Sequence, residues 1–180
     1  MTVSHATPDE FAAILALHAQ NHVSNLGEDA RGDGFLTIFP DLAHLAKLES
    51  QKSLFVARGE RGELAGYVLS APWNFYAQWP VFATQTDRFP LAFGDQILTT
   101  QNSFQYGPVC VAREFRGRGV LPAMFDAVKA HFAPIFPIGA TFINLQNARS
   151  MAAHRKLGFQ IVDEWSAAEN HYATLAFSTA

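Results

Sequence analysis

Apolar residues first recur at helical spacing behind the stretch Thr7-Pro8-Asp9-Glu10, where Phe11, Ile14, Leu15 and Leu17 fall on one face together with His18. Thr7 suits the N-cap, Pro8 the first helical position, and the two acids the positive end of a helix. A second short helix is predicted over 41–48, with Leu42, Leu45 and Leu48 three apart. Between them, residues 27–35 are rich in glycine and charge and read as a loop. The pattern then changes period. Residues 54–58 and 64–69 are apolar runs separated by a glycine-rich turn, which predicts a hairpin. Further on, 109–111 is a short buried strand, and a helix follows with Pro122 in its first turn and Leu121, Met124, Phe125, Val128 and Phe132 along one face. Pro134 and Pro137 end it. A strand at 141–145, a helix at 147–157 closed by Gly158, and strands at 160–165 and 171–177 complete the chain. Helices, a hairpin and then strand–helix–strand–helix–strand–strand make a mixed α/β (α+β) domain.

Residues 71–104 do not follow either period. They carry Trp73, Phe75, Tyr76, Trp79, Phe82, Phe89 and Phe93, broken by Pro72, Pro80 and Pro90. They read as a packed, partly helical insertion that also suits the wall or lid of a pocket, because long ordered excursions in compact domains are often functional. So many large rings also suggest contact with a second subunit, hence a possible homodimer.

The 180 residues, nearly half of them hydrophobic, fit a single domain over 1–180 with its own core. A net charge of −3 gives no reason to expect nucleic acid or an anionic membrane as partner. The lone cysteine, Cys110, precludes an internal disulfide and argues against a Cys/His metal cluster. Neither a secretory leader nor an apolar run of about 20 residues is seen, so a cytoplasmic location is expected.

Against this mild background, the run Arg116-Gly117-Arg118-Gly119 between a strand and a helix is conspicuous. A helix start presents unpaired N–H groups and about half a positive charge. Glycine lets a backbone approach an anion closely and adopt positive φ. Arginine adds forked, permanent cations. Such a turn can hold phosphate, although an ordinary turn with solvated arginines is also consistent with the four residues alone. A Walker loop is absent, and the dinucleotide fingerprint lacks its third glycine, since Pro122 follows Leu121.

The run Arg116-Gly117-Arg118-Gly119-Val120-Leu121 resembles the phosphate signature [Q/R]-x-x-G-x-[G/A] of the GNAT superfamily of acyl-CoA-dependent N-acetyltransferases, with Leu121 where a smaller residue is usual. The segment NARSMAAHRKLGF resembles that superfamily's N-x-x-[A/S]-x-x-x-Y-x-x-x-G-F. Asn147, Ser150, Gly158 and Phe159 match, and His154 occupies the tyrosine position, as in phosphinothricin-type acetyltransferases.

The resemblance implies a GNAT-like fold, a central twisted mixed sheet of about six to seven strands flanked by helices. It implies acetyl-CoA as co-substrate without a metal, and direct attack of a small-molecule or amino-acid amine in a ternary complex. By the same resemblance, Val109, Cys110 and Val111 form the strand beside the pantetheine arm. The pyrophosphate would lie at Arg116, Gly117, Arg118, Gly119, Val120 and Leu121. Asn147 and Ser150 would contact the cofactor, and His154 would give a proton to the departing thiolate. Asn147 is equally a natural N-cap, and a histidine on a helix face is often only packed. The base is open among Tyr106, His171, Tyr172 and a water chain, with Glu114 expected to point away. A CoA-binding regulatory module without turnover and a purely structural domain are the other two readings.

Overall fold

The computed structural model describes residues 1–27 and 34–180, so most of the loop expected at 27–35 lies outside the described residues. Seven strands form one mixed sheet in the order β1 (Thr2–His5), β2 (Leu54–Arg58), β3 (Leu64–Ala71), β6 (Ser103–Val111), β7 (Ile138–Asn144), β9 (Asn170–Ser178) and β8 (Gln160–Ala167). Every pairing is antiparallel except β6 with β7. A hairpin of β4 (Leu91–Phe93) and β5 (Gln96–Leu98) stands apart from this sheet.

Helices cover both faces. On one lie α1 (Phe11–Asn21), α2 (Leu42–Ser50) and the short helices α3 (Trp73–Tyr76) and α4 (Pro80–Thr86). On the other lies α5 (Val120–Phe132), packed across β1, β2 and β3, with α6 (Ala148–Lys156) adding Met151 to the same core. The sheet therefore separates two apolar cores, one around Ile14, Leu45, Tyr67 and Tyr76, the other around Phe104, Met124, Val128 and Leu175.

The helical stripes held with two amendments. On α2, Leu45 and Leu48 are buried but Leu42 is 58% exposed, because it is the first helical residue after the cap Asp41. On α5 the buried face begins at Val120, and Leu121 is turned a hundred degrees away, where it lines a cavity. The structure adds β1, which the pattern had not predicted, and begins β6 and β7 earlier than predicted, at Ser103 and Ile138.

The insertion is packed, as expected, and partly helical. Trp73, Phe75, Tyr76, Phe82 and Phe93 are buried within this chain. Trp73 Nε1 donates to Ser103 Oγ at 2.9 Å, and Tyr76 Oη donates to the Gly107 carbonyl at 2.7 Å, so the insertion is fastened to β6. These five rings serve the chain's own core, while Trp79 and Phe89 are partly buried against it.

Two irregularities in β6 position the site. Val68 pairs with Val109 and Ser70 with Tyr106, so β6 carries one extra residue at the bulge around Gly107 and Pro108. The bulge switches the strand's alternation. Phe104 and Tyr106 share a core with Val109 and Val111, while Cys110 faces the other core. Second, β6 pairs with β7 only through Ser103, Phe104 and Gln105. Beyond Gln105 the strands part, and one edge of β6 loses its neighbour.

Candidate active site

The gap between β6 and β7 opens into a cavity of about 550 Å³. The alternation of an antiparallel ladder decides what β6 offers it. The Ala112 N–H bonds to the Ala65 carbonyl on the β3 side, so Val109 and Val111 turn their main-chain groups the opposite way, into the gap. Cys110 lies between them, 6% exposed, with burial raising its thiol pKa to about 12, so it is no nucleophile at neutral pH.

At one end of the cavity stands the start of α5. Gly117 and Gly119 have φ of 74° and 79°, left-handed values that favour glycine, and Gly119 is the N-cap. Nothing lies within 4 Å of where a Cβ would project at either. Gly117, Gly119, Val120 and Leu121 all line the cavity. Pro122, at the third helical position, has no N–H, so the helix presents Val120 and Leu121 together with the glycine turn.

Arg116 has a role that the sequence did not indicate. Its Nε donates to the Val111 carbonyl at 3.1 Å and its Nη2 to Asn21 Oδ1 at 2.9 Å. It ties the glycine turn to β6 and to the end of α1 while still lining the cavity. Arg118 departs from expectation: exposed, with its guanidinium 5.8 Å from the Phe115 ring, it is absent from the cavity wall. Its stacking on Phe115 draws it aside.

The second sequence motif forms the opposite wall. Asn147 caps α6 by accepting from the Ser150 N–H at 3.2 Å, and its amide donates to the Phe35 carbonyl at 3.1 Å. It thereby joins α6 to the segment that follows the undescribed loop. His154 is 4% exposed and packs edge-on to Phe159 and Tyr106. Its Nδ1 lies 2.8 Å from the Ser150 carbonyl, which only accepts, so Nδ1 carries the proton and Nε2 holds a lone pair. Burial lowers its pKa more than the Ser150 bond raises it, so the ring rests neutral.

Of the residues considered as base, Tyr172 lines the cavity. Tyr106 is fully buried in the α5 core, and His171 is exposed and bonded to Ser166. Glu114 borders a separate, smaller pocket, as expected. Among the described residues that line the main cavity there is no Asp or Glu. Sequence reasoning missed Gln105, Thr141 and Phe142, which all line it. A lone amide in the apolar run SFQYGPVCV was the one available signal.

A histidine outside the motifs holds the roof. His18, 1% exposed, bonds through Nε2 to the Ile38 carbonyl at 2.6 Å and through Nδ1 to Tyr67 Oη at 2.6 Å. The carbonyl fixes the proton on Nε2, so Tyr67 donates to Nδ1. Burial is the main cause of a pKa lowered from 6.5 to about 4. A depressed histidine contributes stability above its unfolded pKa and loses it as pH falls toward the folded one. His5, His131 and His154 shift the same way, each chiefly through burial. Chemical denaturation is therefore expected to show stability falling between pH 6.5 and 4, with roughly 2–3 kcal/mol lost by pH 4.5 from His18 alone. An unchanged denaturation midpoint over that interval would contradict the buried neutral state.

The splayed mixed sheet, the bulged strand and the glycine turn at the head of α5 together make the GNAT fold, shared with solved structures of acetyltransferases. Among the solved structures that match are a ribosomal-protein-alanine N-acetyltransferase from Brucella melitensis (20% identity, 99% of each chain covered, TM-score 0.64) and a GNAT superfamily phosphinothricin acetyltransferase from Sinorhizobium meliloti in complex with acetyl-CoA (16% identity, 98% of this chain and 87% of that one, TM-score 0.64). A third is an N-acetyltransferase from Staphylococcus aureus Mu50 (14% identity, 99% and 98% covered, TM-score 0.63). No protein-family model matches the chain, and no curated protein matches it. No helix among the described residues is long and apolar enough to cross a membrane.

Proposed function

We propose that this protein is an acetyl-CoA-dependent N-acetyltransferase of the GNAT superfamily, acting on the amine of a small molecule. The observation that carries this reading is a convergence. The edge of β6 without a neighbouring strand, the paired left-handed glycines before α5 and His154 of the second motif all meet one cavity. Each has an ordinary structural explanation alone. Together they fit a ligand with a phosphate end, an extended polar arm and a reactive tip.

Acetyl-CoA would supply the acetyl thioester. The N–H groups of Gly119, Val120 and Leu121 would hold its pyrophosphate at the positive end of α5. Val109, and Val111 through its N–H, would pair with the pantetheine amides along the open edge of β6, and N–H groups of that strand would polarise the thioester carbonyl. Arg116 serves by fixing the turn to Val111 and Asn21, and Asn147 by holding α6 against Phe35. Holding amine and thioester together supplies much of the rate.

His154 rests neutral with its lone pair on Nε2, so it has no proton there to give. The proton it delivers to the departing sulfur must first reach it, and the attacking amine releases one. We assign His154 to that transfer, taking the proton on Nε2 and passing it to the thiolate, so that N–C forms as C–S breaks. The apolar cavity helps at the outset, because desolvation favours the neutral, nucleophilic amine over its ammonium form.

The test is twofold: calorimetric titration with CoA, then thiol release from acetyl-CoA with a panel of amines. Binding and amine-dependent release support the enzyme. The lack of a described carboxylate in the cavity favours, as second reading, a CoA-binding regulatory module, which would show binding without release. No binding of CoA would overturn both.

A further inference from the structure

Leu36, Thr37 and Ile38 form one strip of the cavity wall, and both ends of that strip are bonded to the end of α1. The Leu36 N–H donates to the Asn21 carbonyl at 2.9 Å, and the Leu36 carbonyl accepts from the Val23 N–H at 2.9 Å. At the other end, the Ile38 carbonyl accepts from His18 Nε2 at 2.6 Å. His18 and Asn21 are three residues apart, hence on one face of α1. The strip therefore takes its position from that helix.

Asn21 also reaches the other way. Its Oδ1 accepts from Arg116 Nη2 at 2.9 Å, and its Nδ2 donates to the Leu17 carbonyl at 2.9 Å. Arginine only donates and a carbonyl only accepts, so these two partners fix the amide's orientation. Arg116 directly precedes Gly117, and its Nε is anchored on the Val111 carbonyl at 3.1 Å. On the far side, Asn147 Nδ2 donates to the Phe35 carbonyl at 3.1 Å. The strip is thus held between the glycine turn and α6, the two parts of the site that carry the sequence motifs.

Resting on the N-acetyltransferase reading, we propose that Asn21 is a positioning residue that carries the seating of CoA to the Leu36–Ile38 wall. A pyrophosphate on the glycine turn restrains the guanidinium next to it, because a charge-assisted bond is directional as well as strong. A restrained Arg116 gives Asn21 Oδ1 a fixed donor, and the Asn21 carbonyl in turn holds the Leu36 N–H. CoA then firms a wall that it need not touch. Ordering passed along bonded groups links two places without a change of shape. The residue type suits the task, since an amide offers the donor for Leu17 and the acceptor for Arg116 on one short side chain.

Hydrogen exchange read residue by residue by NMR, with and without saturating CoA, tests this without an acceptor. In the unsubstituted protein, CoA is expected to slow the Leu36 and Val23 amides about tenfold, the scale of one hydrogen bond to a charged group. Asn21→Leu, close in size, is expected to abolish that slowing. The amides of Val120 and Leu121 should still respond to CoA there, and unchanged exchange in β9 would report an intact fold. Asn21→Asp keeps an acceptor for Arg116 and is expected to retain the slowing. An undiminished response at Leu36 and Val23 in Asn21→Leu would overturn the proposal, as would its loss in Asn21→Asp. A response confined to the glycine turn in the unsubstituted protein would strike this inference alone. Failure of CoA to bind at all, seen by calorimetry, would overturn the N-acetyltransferase reading and this inference with it.

Discussion

Gly119→Asp is expected to lower CoA affinity by roughly 10²-fold or more, with the protein still folded. Gly119 is the N-cap of α5 at φ 79°, and its missing side chain projects toward open space. An aspartate there is tolerated sterically. It costs about 1–2 kcal/mol for the left-handed backbone, a conformation Asp accepts better than most residues. Its carboxylate, however, stands where the proposed pyrophosphate meets the Val120 and Leu121 N–H groups. Two like charges about 4 Å apart at a protein surface repel by about 4 kcal/mol, more than the fold loses. Calorimetric titration beside a thermal melt separates the effects. Unchanged affinity in a folded variant would remove the glycine turn from ligand binding.

His154→Ala is expected to reduce kcat by roughly 10²–10⁴, the range of acid–base catalysis, with CoA affinity little changed because those contacts are main-chain. The substitution also empties a buried position between Tyr106 and Phe159, so a melting temperature must accompany each rate. A merely packed histidine would give the opposite pattern, lower stability with turnover per folded molecule intact. His154→Tyr is expected to recover part of the rate, since a phenol can serve the same sulfur if its longer ring fits. Comparing kcat with KM for one active amine keeps positioning and proton transfer apart. Full turnover in His154→Ala would exclude it from the chemistry.

The sequence was most legible where the chain interacts with itself locally. Leu45 and Leu48, the Met124–Phe132 stripe and the cap Asn147 follow from spacing and short-range hydrogen bonding, and the structure has them in place. Gly117 and Gly119 were equally plain, because left-handed φ is a demand of the backbone itself. What stayed hidden depends on partners far along the chain. The four residues of β1 alternate weakly and become a strand only by pairing with β2. Arg116 was read as a phosphate ligand, whereas its side chain also reaches Asn21, on a helix near the other end of the sequence. Phe142 looks like a strand residue until the parting of β6 and β7 sets it on the cavity wall.

The two bonds from the aromatic insertion to β6 have a dynamic consequence. Trp73 holds Ser103 and Tyr76 holds Gly107, either side of the point where β6 leaves β7. To swing outward as a flap, the insertion would have to break both bonds and expose rings that complete the core beneath β6. Its amides should therefore open to solvent together with those of the central strand, as one cooperative unit rather than as a local fluctuation. Phe82, which the insertion contributes to the cavity wall, would then stay in fixed register with β6.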